Sequence, residues 1–217
     1  MSARVGLSGE LVLIRHGQTH CTRQGRFCGD HDGGLSPVGE RMGGYLAEHP
    51  ALAGTELLLC SPARRALATA EPIGGRTGLP VTVDDRLREL SFGAWEDRLP
   101  AEVADTPAHQ RWTEDPALFT PPGGESGLAV MARAVAAVRD ALEHSSRVAV
   151  VTHKAPVRLI MSFFLGLPPS RYREIAAVTV GSVTRLRLSD GRATLRAVGE
   201  LDHLPPEWRA DPDHIDT

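Results

Sequence analysis

Three stretches of the chain are apolar without alternation: Leu11–Ile14, the run Glu56-Leu57-Leu58-Leu59-Cys60, and Arg147 to Thr152. A strand covered on one face alternates apolar with polar residues; a strand buried on both faces, as in a parallel sheet, need not. Val81-Thr82-Val83 reads as a fourth, shorter strand. Between these runs the spacing becomes helical. Ser36-Pro37 supplies an N-cap and a proline for the first helical position. Val38, Met42, Tyr45 and Leu46 then share one face of a helix running to His49. Ser61-Pro62 opens a second helix towards Glu71 in the same way. Glu125-Ser126 opens a longer one, where Leu128, Met131, Val135, Val138 and Leu142 recur at helical spacing. A fourth begins at Pro156 and ends near Gly166, before Pro168-Pro169.

This alternation predicts an α/β fold, three layers α/β/α around a mainly parallel central sheet. Thr184–Leu188 and Ala193–Val198 flank Ser189-Asp190-Gly191, the pattern of a β-hairpin with an Asp-Gly turn. Ala94 to Gly124 is rich in Pro, Trp and charge and follows neither periodicity. It reads as an insertion with weak helices, a lid, within a single domain spanning 1–217. From about residue 206 the chain is polar and reads as a loose tail.

Composition narrows the function classes. The chain has 217 residues, a net charge of -3, 41% hydrophobic and 24% charged residues. That apolar content excludes a disordered chain. The slightly acidic balance, without a long Lys/Arg run, argues against nucleic acid as a partner. No apolar run approaches the roughly 20 residues a membrane span needs. Met1 to Glu10 lacks the pattern of a signal peptide. Three cysteines, Cys21, Cys28 and Cys60, make no disulfide scaffold. The expectation is a cytoplasmic protein with reduced thiols, and a homodimer is an open assembly state.

The candidate chemistry lies where apolar runs end. Leu11–Ile14 runs into Arg15-His16-Gly17, and Val148–Thr152 into His153. Ligands of an open α/β sheet bind outside the carboxyl ends of its strands. Two parallel strands would therefore bring His16 and His153 to one edge. Arg15 sits beside the first histidine and Arg65 near the start of the helix after another strand. Two guanidinium groups and two imidazoles suit a tetrahedral dianion. His20, Cys21, Cys28, Asp30, His31 and Asp32 cluster in sequence, but their spacing matches no zinc pattern. Trp95, Trp112 and Phe119 could line a pocket or simply pack. His109, His144 and His214 read as solvated.

Arg15-His16-Gly17-Gln18-Thr19 resembles the signature of the histidine phosphatase superfamily, also called the phosphoglycerate mutase-like family. The likeness continues through Gly25-Arg26-Phe27-Cys28-Gly29-Asp30 and Gly34-Leu35-Ser36-Pro37-Val38-Gly39. Further blocks are Ser61-Pro62-Ala63-Arg64-Arg65-Ala66-Leu67-Ala68-Thr69-Ala70, Leu87 to Glu96, Pro122-Gly123-Gly124-Glu125-Ser126 and Val150-Val151-Thr152-His153. Their order, more than any single block, carries the resemblance.

The resemblance implies that His16 attacks phosphorus as a neutral imidazole and becomes a phosphohistidine. It implies that Arg15, Arg65 and His153 neutralise the transferring phosphoryl group, and that Glu89 is general acid, then general base. It places Arg15, Thr22, Cys28, Gly29, Arg65 and Lys154 around a small phosphorylated substrate, with no metal and no cofactor. The chain departs from the family pattern at three places. Thr22 replaces a common Asn, Cys21 a common Trp, and Lys154-Ala155-Pro156 follows the second His. A phosphomutase would grip a second anion through a Tyr soon after the acid, then Lys and Arg. Here Phe92 stands in that place and only isolated Arg98 and Arg111 follow. The expectation is therefore a phosphatase, with a mutase or a non-catalytic phospholigand-binding protein as alternatives.

Overall fold

The computed structural model describes residues 6–210. In chain order its elements are β1 (Gly9–Arg15), α1 (His20–Gln24), α2 (Pro37–Ala47), β2 (Leu57–Cys60), α3 (Arg64–Thr77) and β3 (Val81–Val83). There follow α4 (Pro107–Glu114), α5 (Gly127–His144), β4 (Arg147–Thr152), α6 (Lys154–Leu165), β5 (Val183–Ser189) and β6 (Arg192–Glu200). The six strands form one sheet in the order β3-β2-β4-β1-β5-β6. Strands β1 to β4 are mutually parallel where they pair, and β5 and β6 add an antiparallel edge. The continuous apolar runs are the parallel strands, and each covers both faces. Leu11, Leu13, Val148 and Val150 pack with α5 and α6. Val12, Ile14, Ala149 and Val151 pack with α2 and α3 on the other side.

Several boundaries differ from expectation. The second helix starts at Arg64 and has no side-chain cap at Ala63. Ser61 lies outside it because its hydroxyl is engaged elsewhere. The helix also runs past Glu71 to Thr77 with Pro72 inside it. Packing on the sheet and on α2 outweighs the hydrogen bond that Pro72 cannot donate. The fourth helix begins at Lys154, two residues earlier than Pro156 suggests. The hairpin is as read: Asp190 (φ 50°) and Gly191 (φ 76°) both take the positive φ that a tight two-residue turn requires.

The 94–124 stretch holds short 3-10 turns and the eight-residue helix α4. The chain after Pro205 is not wholly loose. Trp208 meets Tyr45 edge-on at 5.7 Å and Arg41 at 5.0 Å. The remaining tail, with His214, and the start of the Met1–Glu10 segment lie outside the described residues. No described helix is long and apolar enough to cross a membrane.

Candidate active site

The sheet brings the two histidines together. Strand β1 pairs with β4 in the register Arg15 to Thr152. The next residue on each strand, His16 and His153, therefore leaves the sheet at one level. The two rings are 5.0 Å apart between centroids and edge-on. His16 Nδ1 lies 2.8 Å from the Gly17 carbonyl oxygen. A carbonyl only accepts, so Nδ1 carries the proton and Nε2 keeps its lone pair. The turn that permits this is crowded. A Cβ at Gly17 would sit 2.6 Å from the Gly39 carbonyl, and the Gly17 N–H donates to Thr69 Oγ1 at 3.0 Å.

His153 is oriented from β2. The Ser61 hydroxyl lies 2.7 Å from His153 Nε2. It accepts the Ala63 N–H at 3.3 Å, which leaves its own proton for the imidazole. That arrangement puts the His153 ring proton on Nδ1. This nitrogen is buried and has no hydrogen-bond partner among the described residues. Burial, then Arg65, His16 and Arg15, hold His153 well below the ordinary histidine range, so it is neutral.

Arg15 and Arg65 are both buried. Arg15 donates to the Val178 carbonyl at 2.9 Å. Arg65, in the first turn of α3, donates to the carbonyls of Gly29 (2.8 Å) and His31 (3.1 Å) and pairs with Asp32 at 3.3 Å. Asp32, from the sequence cluster of possible metal ligands, is thus an arginine-orienting carboxylate; it also accepts the Arg64 N–H. Gly29 acts one step back from the cavity. Its carbonyl fixes Arg65, and a Cβ there would strike the Leu90 carbonyl oxygen.

Glu89 caps a helix. Helix α6 has no side-chain cap from its N-cap residue His153. Its first amides turn to Glu89 instead: Lys154 N–H reaches Oε2 at 3.0 Å and Ala155 N–H reaches Oε1 at 3.2 Å. Burial pushes the Glu89 carboxyl above the usual range, against the pull of the Leu90 amide, Arg65 and Arg15. The loop that carries it is clamped by Arg133 of α5. That guanidinium donates to the carbonyls of Arg86, Arg88 and Glu89 and pairs with Glu125 at 2.7 Å.

Arg15, His16, Thr22, Cys28, Arg65, Glu89 and Lys154 line one cavity of about 370 Å³. Thr22 lines it with its hydroxyl engaged as part of a capping box, donating to the Thr19 carbonyl at 3.0 Å. The reduced-thiol expectation is corrected for Cys21 and Cys28. Helix α1 and its left-handed Gly25 cap (φ 67°) fold the chain back, the two Cα atoms stand 6.5 Å apart, and a disulfide joins them. Cys60 is free and buried, its thiol pushed up to about 12 by burial. Denatured, unreduced protein should therefore show one thiol towards a chromogenic disulfide reagent, and three after reduction. Three before reduction would remove the bond.

His109 is not simply solvated. It lies 5.8 Å from Trp112 and lines the cavity, and burial lowers its pKa. Trp112 lines the cavity, Trp95 packs behind it with Phe27, and Phe119 is exposed. Reading single residues missed Ser61, Asp32, Arg133 and also Glu96, which accepts the amides of Gly29, Asp30, His31 and Phe92. Ser61 and Glu96 stood in blocks of the family pattern and could have been found there. Asp32 and Arg133 act across long sequence separations and carry no local signal of these roles.

Known proteins resemble this chain in sequence and in fold. A family model described as the histidine phosphatase superfamily (branch 1) matches residues 11–201. The chain is 34% identical over 212 residues to the bifunctional protein Rv2228c of Mycobacterium tuberculosis, covering 92% of this chain and 56% of that protein. It therefore spans little more than half the length of that relative. It is 34% identical over 188 residues to the glucosyl-3-phosphoglycerate phosphatase of the same organism, covering 81% of this chain and 84% of that one. The mycobacterial glucosyl-3-phosphoglycerate phosphatase solved with VO3 superposes with a TM-score of 0.79 at 32% identity, covering 88% of this chain and 98% of the other. By its sequence, its sheet and the extent of these matches, the chain belongs to branch 1 of the histidine phosphatase superfamily.

Proposed function

We propose that the chain is a phosphatase that hydrolyses a small phosphomonoester through a phosphohistidine on His16. One observation carries this reading. His16, whose proton sits on Nδ1, faces a neutral His153 whose buried Nδ1 has no acceptor among the described residues, between two buried arginines. In the first step His16 Nε2 attacks phosphorus and the ester P–O bond breaks. The leaving oxygen takes the proton of Glu89. A phosphoryl dianion next to Glu89 favours that protonated state beyond what burial already does. In the second step the Glu89 carboxylate removes a proton from water, the water oxygen attacks phosphorus, and the N–P bond breaks. Arg15 and Arg65 neutralise charge on the equatorial oxygens in both steps, and His153 donates its Nδ1–H to them. No step calls for a metal or an organic cofactor.

Water as the acceptor, rather than a second substrate hydroxyl, fits the residues in the mutase positions. Phe92 is in an aromatic contact with Phe27 at 4.9 Å, and Arg98 donates to the Glu102 carbonyl. The relatives' names make a sugar- or glycerate-type phosphoester a sound first substrate to try. Rapid quenching during turnover of p-nitrophenyl phosphate should trap an alkali-stable, acid-labile phosphoryl group that peptide mapping places on His16. A label on another residue, or none during rapid turnover, would overturn the scheme.

A further inference from the structure

Among the described residues, six cationic side chains line the active-site cavity, Arg15, Arg26, Arg65, Lys154, Arg158 and Arg173, together with the carboxylate of Glu89. Two of them, Arg15 and Arg65, flank the histidines. Two more have structural duties. Arg158 donates to the Ile175 carbonyl at 2.6 Å, and Arg26 donates to Gln24 and to the Asp97 carbonyl.

Arg173 is different. It lies in the 3-10 turn that follows α6. Its guanidinium carbon lies 4.3 Å from the centroid of the Trp112 ring. Trp112 is 5% exposed and packed among Phe27, Trp95 and Val103, so the platform under Arg173 is rigid. The adjacent carboxylate, Glu174, is taken by Arg171 at 2.5 Å. Arg173 forms no ion pair with any described residue. Such stacking holds the plane of a guanidinium while leaving its N–H edge for an anion. The indole N–H of Trp112 is itself buried without an acceptor among the described residues. An unmet buried donor costs about 1–3 kcal/mol.

We infer that Arg173, held on Trp112, recognises a second anionic group on the alcohol part of the phosphoester, so that the preferred substrates are phosphomonoesters carrying a carboxylate or another acidic group. Phe27, Phe92 and Tyr172 in the same cavity would meet the carbon skeleton between the two anions. This inference rests on the phosphatase reading above, and it makes Arg173 a specificity residue rather than a catalytic one.

The test compares 3-phosphoglycerate with glycerol 3-phosphate, which differ by the carboxylate, and uses p-nitrophenyl phosphate as reference. The wild type should favour 3-phosphoglycerate by about tenfold or more in kcat/KM. Arg173→Gln should raise KM for 3-phosphoglycerate about tenfold, an effect of the size of one charge-assisted hydrogen bond. It should leave glycerol 3-phosphate and p-nitrophenyl phosphate within about twofold, and Arg173→Lys should recover part of the loss. Uniform losses on all three substrates would mean a packing role and overturn the inference. So would a wild type that hydrolyses p-nitrophenyl phosphate yet separates the other pair by less than twofold, or accepts neither. If no substrate is hydrolysed, the phosphatase reading fails on its own. Calorimetric binding then decides the anion site, and equal affinity for the two phosphates overturns it.

Discussion

Replacing His16 by alanine should lower phosphate release from p-nitrophenyl phosphate by at least about a thousandfold, with the labelled phosphoenzyme lost. The size follows from its proposed role as a covalent nucleophile, whose removal forfeits the two-step route as a whole. His153 cannot substitute. Its Nε2 meets Ser61 and its Nδ1 carries the proton, so neither nitrogen offers a lone pair to phosphorus. The side chain that is lost is buried, and the Gly17 carbonyl loses its donor. The variant should therefore be somewhat less stable, roughly 1–3 kcal/mol, yet folded at room temperature. Circular dichroism checks that point. A folded His16→Ala protein with wild-type turnover would end the nucleophile assignment.

Glu89→Gln should separate substrates by the basicity of their leaving groups. An alkyl phosphate needs its leaving oxygen protonated in the transition state, and loss of that acid is worth about 10²–10⁴ in rate. p-Nitrophenolate leaves with little help. The comparison belongs in kcat/KM, which covers steps up to and including transfer to His16. A common loss on both substrates is expected, because glutamine presents one oxygen where two now accept the Lys154 and Ala155 amides. The ratio between the losses identifies the acid. About a hundredfold greater loss on the alkyl phosphate supports it, and equal losses remove Glu89 from the role. The pH profile supplies the sign. Burial raises the Glu89 carboxyl, so its protonated form persists to higher pH than an ordinary carboxylate's. Activity on alkyl phosphates should be present below that raised value and fall as pH rises through it. The glutamine variant should lack this limb.

Much of the fold was legible because burial writes itself into spacing. The unalternating runs at Leu11–Ile14 and Val148–Val151 suggest strands covered on both faces, and they are. The Asp190-Gly191 turn followed from backbone sterics alone. What misled was chemistry that points away from its own segment. Ser61 has the form of a helix cap but orients His153, and the helix after it starts late. Cys21 and Cys28 look like free thiols until a short helix and a left-handed glycine turn one back upon the other.

The sequence by itself supplied the candidate residues of the proposed site. Arg15, His16, Arg65, Glu89 and His153 are each set by the strand end or block in which they stand. Only the tertiary structure decided their protonation and aim. Ring tautomers depend on what each imidazole nitrogen meets, and here those partners are Gly17 for one ring and Ser61 for the other. The hold of Arg133 on the Glu89 loop and the seat of Arg173 on Trp112 span 44 and 61 residues. Chain entropy gives distant segments no local signal of one another, so contacts of that range become visible only when the sheet and its helices have closed.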